Sequence, residues 1–240
     1  MKQKKTVFIT GCNGTLGKKL VSYFLKKNFN VIGTKRKLDN YHQKSKNLKL
    51  FKLDLLKDND FKKLVNDLNK SNAKIDLLIN NAAIPSGSLI EMTSIKNLKH
   101  VFEINFFSQI RLIQSLLRFI KKSKNGSIIN IGSISGLMAE KGFLSYGASK
   151  CAFMFASKIM AKEFERHNIR VNAIAPSVFK SRMSKKMDNN IKQKFLENSS
   201  SNKEIKLKSV IDLIDALSMG VSSKINGEIL KLDTDLKLTK

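Results

Sequence analysis

The chain is poor in the residues that would staple or divide it. Two cysteines, Cys12 and Cys151, stand among 240 residues, which excludes a disulfide scaffold and fits a reducing compartment such as the cytoplasm. Three histidines and two cysteines, scattered along the chain, leave no zinc-type spacing. Two prolines and twelve glycines build no linker that would separate domains. No apolar run approaches the ~18 residues needed to span a bilayer. Acidic residues are scarce: 19 Asp and Glu oppose 45 Lys and Arg, for a formal charge of +26. Such an excess attracts nucleic acid, anionic lipid or an acidic carrier protein. The cations are spread from Lys18 to Lys237, however, and a nucleic-acid arm would concentrate them. Their even spread reads as solvent-facing filler, with neither nucleic acid nor membrane as the expected partner.

What is present is a regular alternation. With 42% hydrophobic residues the chain can bury a real core without metals. The start, Met1-Lys2-Gln3-Lys4-Lys5, runs directly into an apolar strand and reads as the beginning of a domain rather than a signal peptide. Strands are predicted at 5–10, 30–35, 48–54, 75–80, 127–131, 169–175 and 228–232. Helices are predicted at 16–27, 58–68, 97–121 and 146–166, with a late helix before the last strand. Residues 16–27 carry Leu16, Leu20, Val21, Phe24 and Leu25 at helical spacing; 58–68 repeats the pattern with Phe61, Leu64, Val65 and Leu68. Strands alternating with helices imply right-handed crossovers and a sheet covered on both faces. The expectation is one α/β domain over residues 1–240, a Rossmann fold with a seven-stranded, mostly parallel sheet. The polar stretch 179–203, richest in Ser and Asn around Ser199-Ser200-Ser201-Asn202, reads as a lid over a site or as an exposed insertion.

Two motifs carry chemistry. The first strand ends in Thr10-Gly11-Cys12-Asn13-Gly14-Thr15-Leu16-Gly17 and a helix follows at once. Glycines there let backbone approach a pyrophosphate, which then sits at the helix N-terminus. The second is Tyr146-Gly147-Ala148-Ser149-Lys150. Positions four apart share a helix face, so the Lys150 ammonium can lie near the Tyr146 phenol. A neighbouring cation lowers a phenol's pKa and suits it to exchange a proton with a substrate oxygen.

Together with their surroundings these motifs resemble the classical short-chain dehydrogenase/reductase family over essentially the whole chain. Asp54, with Leu55, follows the third strand, where the family contacts adenine. Asn80-Asn81-Ala82-Ala83 is similar to the family's Asn-Asn-Ala-Gly. Asn105 matches the catalytic Asn of the long helix, and Ser133 stands thirteen residues before Tyr146, the family's usual separation. Arg170-Val171-Asn172 through Pro176 resembles Arg-Val-Asn-x-x-x-Pro-Gly, with Val178, Ser181 and Met183 following the turn. There are departures. Thr15 replaces the middle Gly of Thr-Gly-x-x-x-Gly-x-Gly, Ala83 and Ser177 replace glycines, and Thr234-Asp235 replaces a Gly-Gly pair. The resemblance implies an NAD(P)-dependent oxidoreductase. Ser133 and Tyr146 would hold and protonate the substrate oxygen, and Lys150 would tune Tyr146 and hold the nicotinamide ribose. Asn105 would position a relay water. Gly11, Asn13, Gly14, Thr15, Leu16, Gly17, Asn81, Ala82, Ala83, Pro176, Val178 and Ser181 would line the cofactor.

NAD-selective sites place an acid at the end of the second strand. Here that place holds Thr34-Lys35-Arg36-Lys37, with Asp39 only later. A cationic cluster suits the extra phosphate of NADP, so Lys35 and Arg36 join the expected cofactor set. NADP(H) is favoured, with NAD(H) as the alternative. The expected substrate is a carbonyl or alcohol, either a 3-oxoacyl group on a carrier protein or a sugar-derived intermediate. A non-enzymatic cofactor sensor or nucleic-acid binder on the same fold is the competing reading. Cys12 reads as a small filler of the turn. The long helices 97–121 and 146–166 resemble those that pair between subunits in the family, which implies a homodimer or homotetramer.

Overall fold

The computed structural model describes residues 4–37, 45–186, 189–197, 202–218 and 224–233. Met1, Asp39, His42, Ser199–Ser201, Thr234, Asp235 and Lys237 lie outside them. The seven expected strands form one sheet: β1 Thr6–Ile9, β2 Asn30–Lys35, β3 Leu48–Lys52, β4 Leu77–Asn80, β5 Gly126–Ile131, β6 Ile169–Pro176 and β7 Ile229–Leu232. Their spatial order is β3-β2-β1-β4-β5-β6-β7 and every pairing is parallel. The order reverses between β1 and β4. In open α/β sheets ligands bind outside the carboxyl ends of the strands at such a switch point.

Side chains of successive strand residues point to opposite faces, and each face has its own core. On one side Phe8, Leu78, Ile128 and Val171 pack under α2 (Asp58–Lys70), α4 (Ser108–Ile120) and α5 (Leu144–Phe164). On the other, Val7, Ile9, Ile79, Ile129 and Ile174 pack under α1 (Thr15–Lys26) and α7 (Leu207–Ser218). Asparagines in the left-handed region stand just after helices: Asn28 after α1, Asn72 after α2 and Asn168 beyond α5, with φ of 62°, 45° and 54°. Asn is the usual substitute for Gly at such ends.

The expected single helix over 97–121 is three pieces: α3 (Ile95–Phe102), a π-helical stretch over Glu103–Phe107, and α4. The apolar spacing is helical throughout and does not report the interruption. Its cause is polar. Buried Asn105 is held by the loop after β4, and the Gln109 amide reaches back to the Ile104 carbonyl at 3.0 Å. Of the polar stretch 179–203, Asn189–Glu197 is a helix, α6.

Candidate active site

The Gly-rich turn is tied to β4 through one hydroxyl. Thr10 Oγ1 accepts the N–H of Asn81 at 2.8 Å and of Ala82 at 2.9 Å. The Asn81 amide in turn donates to the carbonyls of Thr10 and Gly11. Gly11 has φ +62°, a conformation that favours glycine. At Gly17 a Cβ would stand 2.2 Å from the Gly11 carbonyl oxygen, so this helix–turn contact exists only without a side chain. Gly14 caps α1, and the first turn of that helix holds neither an acidic residue nor a side-chain cap. Unpaired N–H groups of a helix N-terminus favour an anion. Turn and helix end together are a cradle that fits a diphosphate.

Cys12 fills the space beneath the turn. It is fully buried, close enough to β2 that a Cβ on Gly33 would touch its sulfur, and burial pushes its thiol up to about 11. That is a packing residue rather than a reactive one.

A cavity of about 130 Å³ opens beside the turn. It brings together Leu16, Asn81, Ala83, Ser133, Tyr146, Lys150, Pro176, Val178 and Ser181 of the expected set. Ser133 follows β5, where its Oγ accepts the N–H of Ser135 at 3.2 Å and lies 2.8 Å from the Ser135 hydroxyl. Burial pushes the Tyr146 phenol up to about 12, and a hydrogen bond from Ser133 only partly opposes it. Lys150, buried one turn further along α5, is pushed down to about 8 by desolvation. Its Nζ donates to the Ile131 carbonyl at 2.7 Å and stands 5.9 Å from the centre of the Tyr146 ring.

This corrects the expectation that Lys150 lowers the Tyr146 pKa. In the protein alone desolvation outweighs the cation, whose charge is committed to a backbone carbonyl. Asn105 is fully buried and its side chain is engaged by protein groups. Its Oδ1 accepts the Ile84 N–H at 2.9 Å, and its Nδ2 donates to the Ile84 carbonyl and the Ser149 hydroxyl. Both amide protons are spent, so the side chain braces the loop after β4 against α5 and is not among the cavity-lining residues.

The remaining residues of the expected cofactor set stand around the turn or along the carboxyl edge of the sheet. Asn13 is in the turn itself, and Thr15 is the first residue of α1. Asp54 and Leu55 follow β3, and the Leu55 carbonyl accepts the Ser108 hydroxyl at 2.6 Å. Ala82 holds the Gln109 amide through its carbonyl. Lys35 and Arg36 are separated by environment: Lys35 is buried against Cys12, and Arg36 is exposed.

Three features were not read from the sequence. Phe195 of α6 meets Phe143 edge-to-face at 5.0 Å and lines the cavity, an apolar contact from within the polar stretch. The polar run Lys192-Gln193-Lys194 before it hid its inward face. Ser177, standing where the resemblance expects glycine, puts a buried hydroxyl with no hydrogen-bond partner among the described residues on the cavity wall. Arg182 reaches back to the Gly-rich turn, a contact across the chain that no local pattern announces.

Residues 5–192 match the short chain dehydrogenase family. The chain belongs to that family. It is therefore an NAD(P)-dependent oxidoreductase acting on CH–OH and carbonyl groups. This short-chain dehydrogenase is 29% identical over 234 residues, 96% of either chain, to a 3-oxoacyl-acyl-carrier-protein reductase of Buchnera aphidicola subsp. Acyrthosiphon pisum. It is 32% identical over 190 residues, 78% of either chain, to the enzyme of the same name from Buchnera aphidicola subsp. Schizaphis graminum. Among solved structures it resembles 4-hydroxyisoleucine dehydrogenase complexed with NADH, with a TM-score of 0.87, 30% identity, and 96% and 97% of the two chains covered. It also resembles ElxO with NADP bound, with a TM-score of 0.86, 25% identity, and coverage of 97% and 98%. No helix among the described residues is long and apolar enough to cross a membrane.

Proposed function

We propose that this short-chain dehydrogenase reduces the keto group of a 3-oxoacyl substrate carried on a thioester arm, with NADPH as reductant. One observation carries the reading. Ser133, Tyr146 and Lys150 meet in a single cavity that is also lined by the apolar cluster of Ile134, Phe143, Val178 and Phe195. An acyl chain suits that lining and a sugar does not. A larger groove of about 880 Å³ adjoins it, sharing Ser135 and Phe143 and rimmed by the exposed side chains of Leu89, Ile90, Leu137 and Leu144. It gives a long carrier arm a path inward. The relatives that reduce 3-oxoacyl groups support the same substrate class.

Gly11, Asn13, Gly14, Thr15 and Gly17 would hold the diphosphate, Asp54 and Leu55 the adenine side, and Asn81, Ala82, Ala83, Pro176, Val178 and Ser181 the nicotinamide side. The dinucleotide supplies hydride. The protein's own groups do the rest. The Ser133 hydroxyl and the Tyr146 phenol donate to the substrate's keto oxygen and fix the carbonyl. As negative charge develops on that oxygen, Tyr146 releases its proton to it. A phenol held near 12 is protonated throughout the neutral range, so it is ready as an acid for reduction. Lys150 compensates the phenolate left behind. Asn105 acts as a positioning residue through Ser149, the neighbour of Lys150.

NADP(H) preference rests on the missing acid after β2 and on exposed Arg36 and Lys37. Self-association rests on the apolar side chains exposed on the α4 and α5 side, Phe107, Phe155 and Ile159, as a homodimer or homotetramer.

The test is a fluorescence titration with NADPH and NADH, followed by turnover of a 3-oxoacyl thioester. Tighter NADPH binding and consumption of NADPH by the thioester are expected. Preference for NADH would discard the Arg36 argument, and absence of turnover with any 3-oxoacyl thioester would discard the substrate.

A further inference from the structure

We propose that Arg182, on the segment following β6, is a ligand of the dinucleotide's diphosphate, an inference that rests on the reading of the site given above. Its guanidinium donates to the Asn13 carbonyl at 2.9 Å, and its backbone N–H approaches Thr15 Oγ1 at 3.3 Å. The two contacts pin a cation onto a phosphate turn that lies 169 residues earlier in the chain.

Three features of the turn make the cation functional. The N-terminus of α1 has no acidic residue in its first turn and no side-chain cap, so the turn itself supplies no counter-charge to a guanidinium. A structural arginine would be expected to face a carboxylate; this one faces a helix end that itself favours anions. The Asn13 carbonyl engages one of the five N–H donors of a guanidinium. The planar fork keeps donors for phosphate oxygens, and Arg182 is exposed to solvent where those oxygens would arrive.

Thr15 connects this arginine to the departure in the glycine pattern. Where the resemblance expects the middle Gly, Thr15 supplies the hydroxyl that accepts the Arg182 N–H. The hydroxyl that replaces hydrogen in the turn docks the arginine backbone, and the arginine adds a charge-assisted donor that a bare glycine turn lacks. The two residues form one device: Thr15 sets the position of residue 182, and the guanidinium meets the diphosphate.

The experiment titrates wild type, Arg182→Gln and Thr15→Val with NADPH and, separately, NADH, following reduced-nicotinamide fluorescence at two ionic strengths. Inorganic pyrophosphate serves as competitor. Arg182→Gln is expected to weaken both dinucleotides by a similar factor, about ten- to a hundredfold. It should also flatten the salt dependence and make pyrophosphate a poorer competitor, with the thermal midpoint unchanged. Thr15→Val, which keeps the shape of the side chain and deletes the acceptor, is expected to cost about two- to tenfold. Unchanged NADH affinity in Arg182→Gln overturns the proposal. So does a loss confined to NADPH, which would assign the arginine to the 2′-phosphate. Wild-type protein that binds neither dinucleotide would overturn the reading of the site and this inference with it, whereas normal wild-type binding with an indifferent Arg182→Gln overturns the inference alone.

Discussion

The Lys150 ammonium donates to the carbonyl of Ile131, the last residue of β5, at 2.7 Å. That bond joins the sheet to α5, and the buried cation has no carboxylate partner among the described residues. Desolvation pulls its pKa from 10.5 down to about 8. Reduction that relies on the Lys150 charge should therefore lose kcat/KM as pH rises above about 8, while Tyr146 keeps its proton to about 12. Stability moves the other way. Between about 8 and 10.5 the unfolded chain binds the lysine proton and the folded chain does not, so this group's contribution to stability rises with pH across that window. A pH–rate profile for reduction measures the first effect. A rate that stays level to about pH 10 would show that the charge of Lys150 is not needed.

Asn105 and Ile84 exchange both of their polar partners, Oδ1 with the N–H and Nδ2 with the carbonyl. Asn105→Ala leaves both backbone groups of Ile84 without their side-chain partner. The expected cost is about 2–4 kcal/mol in folding stability, together with a lower kcat as Ser149 and the adjoining turn of α5 lose their brace. Chemical denaturation reads the first and steady-state kinetics the second. A loss below about 0.5 kcal/mol would mean that the loop holds itself.

The glycines of the turn are not equivalent. A methyl at Gly17 would lie 2.2 Å from the Gly11 carbonyl oxygen, whereas at Gly14 the nearest atom would be 3.2 Å away. Gly17→Ala should abolish dinucleotide binding and lower the melting temperature, and Gly14→Ala should do much less. Equal tolerance at the two positions, by titration and thermal melting, would contradict the close approach.

The seven strands and their two buried faces were legible because period-two and helical spacing report burial directly; the order of the strands in the sheet is set by pairing, which that spacing does not report. Phe8 and Val7 face opposite cores, as alternation requires, and α1, α2 and α5 begin or end within two residues of expectation. The π-helical break at Glu103–Phe107 was not legible, since Ile104, Phe106 and Ile110 keep an apolar rhythm while the break is made by Asn105 and Gln109 hydrogen bonds. At the site, Tyr146 and Lys150 came from helical spacing and Ser133 from the family resemblance, and the three line one cavity. Their protonation energetics did not follow from spacing, because desolvation depends on what surrounds the groups. The contact of Arg182 with Asn13 joins distant parts of the chain and has no local signature.

Phe155 on α5 is 62% exposed, with Ile159 one turn away and Phe107 also uncovered. An apolar face of that kind marks an interaction surface. Phe155→Glu should shift the protein toward monomer in sedimentation velocity at micromolar concentration. A wild-type monomer, or an unchanged oligomer in the variant, would remove this face from the assembly.

The central claim, that Tyr146 delivers the proton to a keto oxygen, is tested most directly by Tyr146→Phe. NADPH consumption with a 3-oxoacyl thioester should fall by about 10²–10⁴-fold, while NADPH affinity, measured by fluorescence, stays within about threefold of wild type. Turnover near the wild-type rate in a variant that still binds NADPH would contradict the account.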